Sequence, residues 1–264
     1  GRIHAMSQRF TVGLVQMTSG TEVLPNVAAA SELIREAAGR GAGFVVTPEN
    51  TTQIEPDKAR VLAEAQPEAT HPAIPPFATL AKELGIWLLI GSLTVKKSDD
   101  KCWNRSYLFA PDGGIAARYD KIHMFDVQVG DGQSYRESAT FQAGERAVLA
   151  ELPWGRLGLS ICYDIRFAYL YRALAQAGAG LLTAPAAFTE VTGQAHWHVL
   201  QRARAEAGGD RVEVLADGGS EPGVITAEID SAAVTSARHR IPALTHDRGF
   251  AQPTVDNALK LAGE

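Results

Sequence analysis

A chain of 264 residues is long enough to bury a full hydrophobic core, as one large domain or two small ones. Hydrophobic residues make up 45% and charged residues 21%, ordinary values for a globular protein. A net charge of −5 and a pI near 5.8 argue against a binder of phosphate backbones, which needs a basic surplus. No apolar run approaches the length of a membrane span, and no signal peptide precedes the first strand. Neither nucleic acid nor membrane is therefore expected as a partner.

Gly1-Arg2-Ile3-His4-Ala5 ahead of Met6 looks like an expression remnant, and one domain is expected over residues 6–264. The two cysteines, Cys102 and Cys162, sit in unlike settings and do not suggest a disulfide scaffold. The expected location is cytoplasmic, where a reduced thiol can act as a nucleophile.

In chain order, residues 10–17 read as a strand and 25–40 as a helix opened by Pro25, with Val27, Leu33, Ile34 and Ala38 at roughly helical spacing. Residues 44–46 form a short buried strand that stops at Thr47-Pro48-Glu49. A second helix is predicted over 76–84 and a strand over 86–95. Two hairpins follow. Residues 106–110 and 115–119 flank Pro111-Asp112-Gly113-Gly114, and residues 147–152 and 157–161 flank Pro153-Trp154-Gly155-Arg156. An all-parallel sheet holds no hairpins, so mixed sheets are expected. Helices over 166–177, 194–207 and 232–238 alternate with strands over 181–184, 212–215 and 224–229. This alternation is the α/β pattern.

Three polar residues stand at strand exits. Cys162 follows an apolar run and precedes a predicted helix, whose first amides are unpaired donors suited to a thiolate or an oxyanion. Its ordinary alternative is a buried structural cysteine. Glu49 follows a core strand, where a carboxylate is costly without a partner, and its alternative is a turn or capping glutamate. Lys121 follows the first hairpin, and its alternative is a surface lysine. Strand exits are where α/β architectures gather their active sites, and that shared placement raises all three.

Thr47-Pro48-Glu49-Asn50, Tyr119-Asp120-Lys121-Ile122-His123 and Ser160-Ile161-Cys162-Tyr163-Asp164-Ile165-Arg166-Phe167 resemble, in order and spacing, the three signature segments of the nitrilase, or carbon–nitrogen hydrolase, superfamily. Trp103-Asn104-Arg105-Ser106, Pro185-Ala186-Ala187-Phe188 and Ala195-His196-Trp197-His198 extend the likeness from Gln8 to about Phe250. The resemblance implies an α-β-β-α sandwich, two mixed sheets face to face with helices outside. It also implies a glutamate–lysine–cysteine triad on Glu49, Lys121 and Cys162, with a second glutamate on Glu137. By its residues alone Glu137 would read as a surface charge beside Arg136.

The implied chemistry is hydrolysis of a small carboxamide, with Cys162 attacking, Glu49 carrying the proton, and Lys121 with the next backbone amide meeting the oxyanion. Cys-Tyr-Asp-Ile-Arg-Phe is similar to the branch of ω-amidases and deaminated-glutathione amidases. Tyr163 and Arg166 are the expected substrate-binding residues, Arg166 for a substrate carboxylate. Nitrile or N-carbamoyl amine hydrolysis is the alternative within the superfamily, and a catalytically inactive scaffold is the alternative outside catalysis. No cofactor and no metal are expected, since His196 and His198 lie two apart and leave a helix on different sides. The resemblance further implies a homodimer or higher even homo-oligomer, with Tyr169, Leu170 and Tyr171 supplying apolar contact.

The chain departs from the pattern twice. Ala168-Tyr169 stand where Pro-Glu is usual. Only residues 206–211 join Ala205 to Val212, where the family carries two further strands, roughly thirty residues. Removing sheet strands would expose ladder groups and apolar faces, a large loss for a marginally stable domain. The expectation is therefore that the polypeptide retains this segment, seen as an interruption between Ala205 and Val212 and an intact mass about 3 kDa above 28.2 kDa.

Overall fold

The computed structural model describes residues 9–128, 132, 134–205 and 213–253. Strand β1 (Arg9–Gln16) leads into helix α1 (Val23–Gly39), whose Ala30, Ile34 and Ala37 are completely buried at spacings of four and three. Pro25 stands in the first turn, where its missing N–H leaves no bond unmade, and the helix begins two residues before it. Strand β2 (Phe44–Val46) follows, and then a helix that the sequence pattern did not reveal, α2 (Lys58–Glu64). Asp57 caps α2 by accepting from the amides of Ala59 and Arg60. Helix α3 (Ile74–Leu84) ends at Gly85 in the left-handed region, φ 64°.

Strands β3 (Trp87–Lys96), β4 (Cys102–Phe109) and β5 (Ile115–Asp120) come next. The first sheet has the order β11-β1-β2-β3-β4-β5, where β11 is Gly223–Asp230. Its β1/β2 and β2/β3 pairs are parallel, while β11/β1, β3/β4 and β4/β5 are antiparallel. The second sheet joins β8 (Leu149–Leu152), β9 (Gly155–Gly158) and β10 (Ala179–Leu182), antiparallel then parallel. Both hairpins expected from the turn residues are present, and both sheets are mixed. A small ribbon of β6 (Asp126–Gln128) and β7 (Ser134–Arg136) was not visible in the sequence pattern.

Period-two alternation builds the layers. In β2 and β3, Val45, Leu88 and Ile90 pack toward α1 and α3, whereas Phe44, Val46 and Leu89 meet Leu152, Leu157 and Leu159 of the second sheet's side. The far side of the second sheet is covered by α4 (Ala168–Gln176) through Leu170, Tyr171 and Leu174. Helix, sheet, sheet, helix is the expected α-β-β-α sandwich.

Several boundaries differ. The ladder expected over 157–161 ends at Gly158, and the helix expected over 166–177 is a 3₁₀ turn, Cys162–Arg166, followed by α4. Residues 213–215 form no strand, and Val214 and Leu215 are exposed. Helix α5 (Glu190–Ala205) starts four residues early and buries none of its residues, and α6 (Ser231–Arg240) follows β11. The short join 206–212 and the remnant 1–5 lie outside the described residues. Among the described residues no helix is long and apolar enough to cross a membrane.

Candidate active site

Glu49 sits in a tight turn held by hydroxyl bonds. The Gly91 amide donates to Thr47 Oγ1 at 3.0 Å, Thr51 Oγ1 donates to the Pro48 carbonyl at 2.7 Å, and the Asn50 amide donates to Ser92 Oγ at 2.8 Å. Asn50 takes φ 54° at the apex. A Cβ at Gly91 would lie 2.2 Å from the Thr47 carbonyl oxygen and 2.3 Å from that of Pro48, so only glycine lets β3 pass this close. Lys121 leaves β5 with its amide on the Asn104 carbonyl at 3.0 Å and its own carbonyl accepting from Gly144 at 2.8 Å.

Cys162 follows three extended residues beyond β9. Its φ of 46° is uncommon for a residue with a Cβ and costs about 1 kcal/mol or more, strain that the surrounding structure must hold. Its amide donates to the Pro185 carbonyl at 2.9 Å, so the first donor of the turn is already used. The sequence suggested a helix start favouring a thiolate. Instead a five-residue 3₁₀ turn follows, and burial together with the charge of Glu49 pushes the Cys162 thiol well above 9.0, against the opposing pull of Lys121.

The structure brings Glu49, Lys121, Glu137 and Cys162 together. Lys121 Nζ donates to Glu49 Oε1 at 2.8 Å and to Glu137 at 3.0 and 2.9 Å, with Lys121 and Glu49 almost wholly buried. Burial alone would raise the Glu49 pKa, but the Lys121 charge and hydrogen bonds from Lys121, Cys162 and Asn104 hold it below 4.5. Burial likewise opposes the charged lysine, and the charges of Glu49 and Glu137 outweigh it and raise Lys121. Glu137 opens a short 3₁₀ turn after β7, and its Oε2 also accepts from the Phe125 amide at 2.7 Å.

Asn104 was not singled out as a site residue, yet its Nδ2 bridges Glu49 Oε1 at 3.0 Å and Glu137 Oε1 at 3.1 Å. The signal was present: Cys102, Asn104, Ser106 and Leu108 share one buried face of β4, and an inward asparagine there needs partners. The Ala187 amide, donating to Glu49 Oε2 at 3.0 Å, gave no sequence signal because any residue supplies it.

Tyr163 and Arg166 line a cavity of about 440 Å³ beside Phe125 and His196. Arg166 lies over the rings of Tyr163 and Phe188, and its Nη2 is 3.3 Å from His196 Nδ1. His198 faces elsewhere, 3.8 Å from Asp217. Cys102 is completely buried against Val61, Ala65 and Phe141. Of the three residues expected at an oligomer contact, Leu170 and Tyr171 are buried in this chain's own core, and only Tyr169 is exposed.

The carbon-nitrogen hydrolase family profile matches residues 11–210, and the chain belongs to that family. Its sequence is 41% identical over 197 residues to a deaminated glutathione amidase of Yersinia enterocolitica, covering 74% of this chain and 68% of that protein. It is 33% identical over 265 residues to the omega-amidase of Homo sapiens, covering 90% of this chain and 95% of the relative. The crystal structure of the C. elegans NitFhit protein superposes with a TM-score of 0.83 at 31% identity, covering 92% of this chain and 66% of that one. This chain is thus a hydrolase of carbon–nitrogen bonds, of amidase type and with a buried cysteine. The human alignment uses 90% of 264 residues, about 238, over 265 positions, so about 27 positions face no residue of this chain.

Proposed function

We propose that this chain hydrolyses the ω-amide of a dicarboxylic or keto acid through a thioester on Cys162. The observation that carries the reading is a buried ammonium, Lys121, held between two carboxylates beside a buried thiol. Glu49, kept ionised, takes the thiol proton as sulfur attacks the amide carbonyl. The tetrahedral oxygen is met by Lys121 Nζ and the Tyr163 amide, which follows Cys162 at the start of a turn. Glu49 returns its proton to nitrogen, the C–N bond breaks, ammonia leaves and the thioester remains. Water then gives a proton to Glu49 and attacks the thioester, and the carboxylic acid departs as sulfur regains the proton. Glu137 and Asn104 hold Lys121 and Glu49 in register throughout.

Arg166 supports the substrate class, because a guanidinium on the same short turn as Cys162 suits the carboxylate at the far end of such an amide. The names of the relatives point the same way. Assaying ammonia release from an ω-amide, a nitrile and an N-carbamoyl amine tests the reading. Turnover of the amide is expected, and exclusive turnover of either other substrate contradicts it. A cytoplasmic setting fits the two unpaired thiols. A homodimer or higher even oligomer is the proposed assembly, and a monomer in analytical ultracentrifugation would contradict it.

We also infer that the polypeptide retains roughly thirty residues between Ala205 and Val212. Three observations support this: the human alignment leaves about 27 positions unmatched, β10 is paired on one side only among the described residues, and α5 exposes Val191 and Val199. An intact mass about 3 kDa above 28.2 kDa is expected, and a mass of 28.2 kDa overturns the inference.

A further inference from the structure

Two residues after Cys162 lies a buried carboxylate that the chemistry above does not use. Asp164 has no exposed surface, and four donors converge on it. Its Oδ1 accepts from the His123 amide at 3.0 Å and lies 2.6 Å from His123 Nδ1. Its Oδ2 accepts from the Tyr119 hydroxyl at 2.7 Å and from the Ile161 amide at 2.9 Å. Tyr119 and His123 stand two residues before and two after Lys121, and Ile161 immediately precedes Cys162. One side chain therefore holds the Lys121 segment on both sides, through the Tyr119 hydroxyl and the His123 amide, and also the backbone of the residue next to the nucleophile.

We propose that Asp164 is a positioning residue, one that locks the Cys162 turn to the Lys121 segment and so sets the sulfur against the ammonium that meets the oxyanion. The strained φ of Cys162 makes such a clamp necessary, since a left-handed cysteine relaxes unless its surroundings fix it. The clamp extends outward. His123 stacks on Phe167 with ring centroids 3.5 Å apart, and its Nε2 lies 2.5 Å from the hydroxyl of Tyr169. In a neutral ring with Nδ1 donating to Asp164, Nε2 accepts from Tyr169. Tyr169, one of the two residues by which the chain departs from the family pattern, thus orients the ring that holds Asp164.

An asparagine cannot replace this group. Each oxygen faces one backbone N–H that can only donate, from His123 on one side and Ile161 on the other. Whichever way an amide were turned, its NH₂ would oppose a buried donor. The inference rests on the reading of Cys162 as nucleophile, and the experiment separates the two. Wild type and Asp164→Asn are mixed with a good amide substrate, quenched, and followed by intact mass for acyl–Cys162, each well below its own unfolding temperature. Asp164→Asn is expected to form the thioester about a hundredfold more slowly per folded molecule, with KM within about threefold, the signature of misplacement rather than lost binding. If Asp164→Asn does not fold, His123→Ala takes its place, with the same split between rate and KM at about tenfold. A thioester rate within about threefold of wild type, whatever the change in melting temperature, overturns the proposal. A wild type that turns over without any acyl–Cys162 overturns the nucleophile reading, and this one with it.

Discussion

Lys121 Nζ lies 2.8 Å from Glu49 Oε1 in a site where both side chains are at most 4% exposed. Two such charges are retained out of water because each neutralises the other, and Glu137, Asn104 and the Ala187 amide supply further hydrogen bonds to the pair. Lys121→Met removes the ammonium at nearly constant volume and leaves Glu49 and Glu137 facing each other. Turnover is expected to fall by at least about 10²–10³, the usual loss for one oxyanion donor. Stability is expected to fall by about 3–5 kcal/mol in urea unfolding, because the carboxylates stay buried and unpaired. A variant with near wild-type turnover would remove Lys121 from the mechanism.

The same pair sets the dependence on pH. The folded Glu49 pKa is lowered from 4.5, so its contribution to stability is complete above 4.5 and is lost as pH falls through the lower folded value. The Lys121 pKa is raised from 10.5, so its contribution is complete below 10.5 and is lost only as pH rises through the folded value. The Cys162 pKa is raised from 9.0, so the unfolded thiol ionises first, and this site's effect is to lower stability as pH climbs past 9.0. Melting temperature is therefore expected to decline above pH 9 in wild type, and less steeply in Cys162→Ala. Alkylation of Cys162 by iodoacetamide is expected to show no inflection at 9.0. An inflection there would mean that the thiol titrates freely.

Cys102 is a core residue, completely buried with Val61, Ala65 and Phe141, and burial raises its thiol pKa. Cys102→Ser is expected to leave kcat and KM unchanged while costing about 1–3 kcal/mol of stability, the price of a buried hydroxyl. A large kinetic loss with stability intact would assign Cys102 a part in the chemistry.

Gly91 carries no functional group but sits where β3 passes the turn of Glu49. A methyl group 2.2 Å from the Thr47 carbonyl cannot be accommodated without moving that turn. Gly91→Ala is expected to reduce activity at least about tenfold, since small displacements of a reacting group are costly. Wild-type kinetics in this variant would show that the turn is not held by this approach.

Much of this was legible in the sequence. Most strands of the two larger sheets and both hairpins follow from apolar runs and turn residues, whereas Glu49, Lys121 and Cys162 stood at strand exits only as candidates, and their grouping with Glu137 was what the family resemblance implied. Helix α2 was hidden because it is short and buries only Val61, leaving no apolar stripe to count. The β6/β7 ribbon was hidden because three-residue strands with one half-buried position carry no alternation. Glu137 and Asn104 read as ordinary polar residues, since their partners are 12 to 55 positions away and only the fold brings them together. The thiol's upward shift was misread from position alone, because burial and the charge of Glu49 outweigh whatever a five-residue turn offers.

The central claim is that Cys162 carries the acyl group. Wild type, Cys162→Ala and Glu49→Gln are each mixed with a succinic or 2-oxoglutaric ω-amide, quenched in acid within one turnover, and weighed intact. The account requires a mass increase equal to the acyl group in wild type, mapped to the peptide holding Cys162. Cys162→Ala should show no adduct and no turnover while folding normally, since the change removes the nucleophile and only a small volume. Glu49→Gln should show neither burst nor steady turnover, having no base for a neutral thiol. Turnover by Cys162→Ala, or an acyl adduct on any other residue, would contradict it.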